Sequence, residues 1–105
     1  MKIELKDKKI NIFVYKSKKT YTKRSGWEVD KYTIGLASFD ENTRNIYLGI
    51  FDNKKSTLVH ELFHAMQYIN ILLHENDDKN VNFSESNAYL FEYLFEKISK
   101  KNKMK

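Results

Sequence analysis

Apolar residues recur at every second position early in the chain and at every third or fourth position late in it. Ile10, Ile12 and Val14 alternate with Asn11, Phe13 and Tyr15, and Ile3 and Leu5 share a face just upstream. A period of two marks a strand with one buried face. Residues 6–9 between these runs are polar, so residues 2–15 are expected to form a hairpin. Residues 31–39 and 46–50 give a second hairpin about a polar turn at 40–45, with Ile46, Leu48 and Ile50 on one face. Residues 16–26 are basic and nearly free of aliphatic side chains. They read as a loop or an edge excursion.

After residue 56 the period lengthens. Leu58, Val59, Leu62, Phe63, Ala65, Met66, Ile69, Leu72 and Leu73 follow the i, i+3, i+4 spacing of an amphipathic helix. This predicts a helix over about 54–73, with Asp52, Asn53 or Ser56 as its N-cap. Residues 74–82 are polar. A second helix over 83–100 carries Ala88, Phe91, Leu94, Phe95 and Ile98 on its inner stripe. Residues 97–105 are a basic tail, expected to fray. Strands come first and helices follow, the order of an α+β fold. The expectation is one domain over 1–105: a four-stranded, mainly antiparallel sheet packed on two helices.

The first helix carries His60-Glu61-Leu62-Phe63-His64, an H-E-x-x-H sequence. Histidines four apart lie on one face of a helix, one above the other. Both imidazoles can then reach one zinc ion at about 2.0–2.1 Å. Glu61, turned about 100° from His60, flanks the ion rather than joining the ligand face. It can take a proton from water, the task of a general base. His74 is the remaining histidine. At 1.5 Å per residue it lies about 15 Å from His64 along the same helix, too far to share an ion.

Residues 57–66 resemble the extended zincin motif, with Thr57 before the first histidine and Leu62, Phe63, Ala65 and Met66 at uncharged positions. The metzincin form is not matched, because Gln67 and Asn70 stand where Gly and His belong. The chain is similar to the small gluzincin-type metallopeptidases of bacteria and their phages, in particular the ImmA/IrrE-like group, over residues 33–98. That resemblance implies a zincin-like fold and one Zn2+ per chain, held by His60, His64 and Glu85 from the second helix. Glu85 also reads as the N3 member of a capping box begun by Asn82, and His74 and Glu92 are the alternative ligands. Tyr89, one turn after Glu85, is a candidate to polarise a substrate carbonyl. Gly35, Leu36, Ala37, Ser38 and Phe39 are the candidate edge strand for pairing with substrate. The implied function is hydrolysis of a peptide bond in a protein or peptide partner. The alternative is a regulatory or inhibitory binding protein of phage or mobile-element type, with a structural zinc.

Composition narrows the context. Cysteine is absent, which removes disulfides and thiolate ligands. The net charge of +5 comes almost wholly from lysine, with Arg24 and Arg44 the only arginines. Nucleic-acid readers lean on bidentate arginine contacts, so nucleic acid is not the favoured partner. No long apolar run suggests a signal peptide or a membrane span. The expected setting is cytoplasmic, in a bacterium or encoded by its phage.

Overall fold

The computed structural model describes residues 1–74 and 85–105. The elements are β1 (Lys2–Leu5), β2 (Ile10–Tyr15), α1 (Lys18–Ser25), β3 (Gly35–Asp40), β4 (Asn45–Ile50), α2 (Lys55–His74) and α3 (Glu85–Lys101). The fold is α+β. The sheet order is β1-β2-β4-β3. Both expected hairpins form, β1 antiparallel to β2 and β3 antiparallel to β4. They join through a parallel β2–β4 pair, Ile12 opposite Ile46 and Val14 opposite Leu48. The sheet is therefore mixed, and among the described strands β3 lies at an edge.

One face of the sheet is aliphatic. Ile3, Leu5, Ile10, Ile12, Val14, Ile46, Leu48 and Ile50 are buried on it against Leu58, Leu62, Ala65, Met66 and Ile69 of α2 and Leu94 and Ile98 of α3. The period-two and period-3.6 stripes meet here, and burial of this apolar area is the main favourable term. None of the described helices is long and apolar enough to cross a membrane.

Three expectations are corrected. Residues 18–25 form a helix, α1, where a loop or edge excursion was expected. Ser17 caps it by accepting from Thr20 N–H at 3.3 Å. Gly26 closes it at φ 81°, donating its N–H to Thr22 O, a left-handed position suited to glycine. The helix packs on the other face of the sheet through one side chain. Tyr21 is fully buried, edge-on to Tyr15 and Phe51, with its hydroxyl 2.6 Å from Ser38 Oγ. The third strand is also shorter than expected, because residues 31–34 lie outside it.

The third correction concerns residues 97–105. α3 continues to Lys101, and the tail beyond it docks. Met104 is buried in the core, and its N–H donates to Ser99 O. Lys55 N donates to Lys105 O at 2.8 Å, and Lys105 N donates to Asn53 O at 3.3 Å. The tail thus satisfies an N–H in the first turn of α2, a group no intrahelical acceptor can reach. Asp52 completes that end, accepting from Lys54 N and from the Thr57 hydroxyl at 2.7 Å.

Candidate metal centre

The centre lies on the second and third turns of α2, beside the β3 edge. Phe51 N donates to Ile34 O, and Arg44 N donates to Asp40 O. Even-numbered residues of β3 therefore turn their main-chain polar groups toward β4. Gly35, Ala37 and Phe39 turn theirs to the outer edge. The same odd residues face α2. A Cβ at Gly35 would come within 2.6 Å of Thr57 Cγ2 and 2.8 Å of Glu61 Oε2. Only glycine lets strand and helix approach this closely.

Under that contact Glu61 is 6 % exposed, with His60 exposed and His64 half-buried on the solvent side. The two imidazole centroids are 5.1 Å apart at 74°. One ligand atom from each of His60, Glu61 and His64 lies within 4.8 Å of the others. Two imidazole nitrogens one turn apart, with a carboxylate beside them, are the donor chemistry of a zinc site. Burial pushes the Glu61 carboxyl up, and the two imidazoles pull it partly back.

His64 has a partner that sequence reasoning missed. Its Nδ1 is 2.9 Å from Gln67 Oε1. With its proton on Nδ1 the ring donates to Gln67 and keeps the Nε2 lone pair for an ion, the orientation that metal-ligand histidines need. Tyr68 was missed as well. Its ring stacks on Phe39 at 4.5 Å and on His64 at 6.5 Å, and its hydroxyl donates to Ala37 O at 3.1 Å. Burial first, and then the Glu61 charge, raise the Tyr68 pKa. The signal was spacing: Gln67 and Tyr68 stand three and four residues after His64, on its face.

No protein-family model, no curated protein and no solved structure matches this chain.

The structure brings Gly35 and the three motif residues together, with Ala37 and Phe39 along the same edge. Glu85 is not brought in. Glu85 is exposed in the first turn of α3 and is not part of the three-residue group. Tyr89 is exposed too, because the inner face of α3 is carried by Leu94 and Ile98. Glu92 is likewise exposed. Among the described residues, Glu61 is the carboxylate grouped with the two histidines. His74 ends α2, and Asn82 lies outside the described residues.

Proposed function

We propose that this chain is a zinc-dependent metallopeptidase of zincin type. The observation that carries the reading is the His60, Glu61, His64 group, its donor atoms within 4.8 Å, beneath an open strand edge. His60 and His64 would hold the ion, and Gln67 would orient His64. Zinc bound there would supply Lewis-acid polarisation of a carbonyl and acidify water. Glu61 would accept the proton of the attacking water and return it to the leaving amine. Burial suits that task, because it raises the affinity of the carboxylate for a proton. The edge groups of Gly35 and Phe39 would hold the substrate main chain extended across the histidines.

Catalytic zinc sites use three protein ligands, and two histidines leave one place to fill. The resemblance gives it to Glu85, which is exposed in the first turn of α3 and outside the three-residue group. Zinc titration of Glu85→Ala tests that assignment. From the geometry, Glu85→Ala should bind zinc as wild type does. A loss as large as that of His64→Ala would return Glu85 to the ligand set.

The deciding experiment measures zinc content and peptide hydrolysis side by side. Wild type should carry one zinc and cleave, and His64→Ala should lose both. If Glu61→Gln and wild type have the same biological effect while His64→Ala has none, the zinc is structural and the chain is a binding protein.

A further inference from the structure

Beside the metal centre the β3 edge opens into a groove of about 230 Å³, lined by Trp27, Leu36, Ala37, Ser38, Phe39 and Tyr68. Its lining is mostly apolar, and the hydroxyl of buried Ser38 is taken by Tyr21. Trp27 forms the outer wall. It is the chain's single tryptophan and is 59 % exposed. An indole left this open lacks the apolar cover that makes burial favourable.

The wall is held in place. Trp27 N donates to Ser25 Oγ at 3.1 Å. Asp30 Oδ1 accepts from Tyr32 N and Thr33 N, closing the loop ahead of β3. Lys18 of α1 donates to Asp30 O and Lys31 O. Tyr68 forms the facing wall, fixed by its bond to Ala37 O. A cavity of about 150 Å³ takes a benzene ring, so this groove has room for one aromatic side chain.

We propose that the groove is a specificity pocket for a large apolar or aromatic side chain of an extended peptide bound along β3. Two features of different chemistry choose this occupant. On either side of Ala37 O, which Tyr68 holds, the edge turns out the main-chain donors and acceptors of Gly35 and Phe39, which another extended main chain complements. The pocket beside it offers mainly apolar surface, which one side chain of that strand would fill. A free apolar molecule would leave the edge unused, and a charged chain would leave the pocket unfilled. Tyr68 ties the pocket to the centre, since the ring that forms its wall also stacks on His64. The inference rests on the peptidase reading for its purpose, but its test does not require zinc.

Trp27 is the reporter. Metal-free protein, kept in chelator, is titrated with blocked pentapeptides of alanine carrying a central phenylalanine, alanine or aspartate. The phenylalanine peptide should shift Trp27 emission to shorter wavelength, saturably. It should bind about tenfold or more tightly than the alanine peptide, the worth of burying one aromatic side chain. The aspartate peptide should bind no better than alanine. By calorimetry, Trp27→Ala should remove the preference for phenylalanine while leaving the alanine peptide unchanged. Methylating the amide nitrogens that face β3 should weaken the phenylalanine peptide. Equal binding of the phenylalanine and alanine peptides, or an undiminished preference in Trp27→Ala, would overturn the proposal. If this preference holds and zinc-loaded protein cleaves nothing, only the peptidase reading fails.

Discussion

Helices α1 and α2 lie against opposite faces of one sheet and are held by opposite means. α2 is 20 residues long and buries a stripe from Leu58 through Leu62, Ala65 and Ile69. Its stability is spread over many apolar contacts. α1 is eight residues long, with Tyr21 its single buried side chain, and both its ends are capped. A helix this short is marginal without tertiary support. The first kind of helix can spare side chains for chemistry. His60, Glu61 and His64 sit on a frame already fixed by Leu58, Leu62 and Ala65. The second kind has none to spare, and its role is to set the loop that carries Trp27.

The largest expected effect is functional and falls on α2. Glu61→Gln should retain zinc and fold while lowering hydrolysis by about 10²–10⁴-fold, the usual worth of a general base. Glutamine keeps the shape and removes a charge that burial already disfavours, so stability should not fall. Zinc analysis, hydrolysis rate and thermal unfolding of the same preparation check all three. Lost zinc in this variant would make Glu61 a ligand rather than a base.

Next is Leu62→Ala, one residue along the same helix. Leu62 is fully buried between sheet and helix, and its truncation should destabilise the protein by about 2–5 kcal/mol. Denaturant unfolding measures this. The folded fraction should still bind one zinc, because the core side of α2 and its histidine side are separate surfaces of one frame. Impaired zinc binding in fully folded Leu62→Ala would merge them.

The same contrast explains what was legible. α2 announced itself through periodicity, and so did both hairpins, since each buries a regular stripe. α1 buries one aromatic residue and shows no stripe. Its signals were the terminal ones, Ser17, Gly26 and the last-turn Lys23 and Arg24, which outweigh periodicity in a helix of two turns. The parallel β2–β4 pairing was also hidden, because each hairpin pattern is satisfied whichever strand lies beside it. The tail was misread because Met104 is one apolar residue among lysines, and only the fold shows the gap it fills. At the site, His60, Glu61 and His64 were legible because their spacing lies within one helix. Their neighbours from β3 and the 26–34 loop depend on tertiary approach.

Ser17→Ala measures how far α1 depends on its ends. The side-chain acceptor for Thr20 N–H is lost, so the helix should weaken by about 1 kcal/mol. Hydrogen exchange should accelerate in residues 18–25 and remain unchanged in α2. Acceleration spread evenly over both helices would show that α1 is not an independent unit.

The smallest effect at neutral pH concerns the proton on Tyr21. Burial, its largest cause, pushes the phenol up to about 12, against an unfolded value near 10. The folded state therefore holds this proton more tightly. Below pH 10 both states keep it, and it contributes no slope. As pH rises from 10 to about 12 the unfolded chain releases the proton while the folded chain retains it. Folding stability should fall across that window. Tyr15 and Tyr68 are raised by burial too and add slope of the same sign. Tyr21→Phe should therefore flatten the alkaline limb without abolishing it. Below pH 10 the variant should show only a constant offset, because phenylalanine keeps the ring packed on Phe51 and Tyr15 but leaves Ser38 Oγ without its partner. Urea unfolding midpoints at pH 8, 10 and 11.5 give the slopes. Parallel curves for wild type and Tyr21→Phe would mean that the Tyr21 proton is as loosely held in the folded protein as in the unfolded chain. The single anchor of α1 would then be wetter than its packing implies.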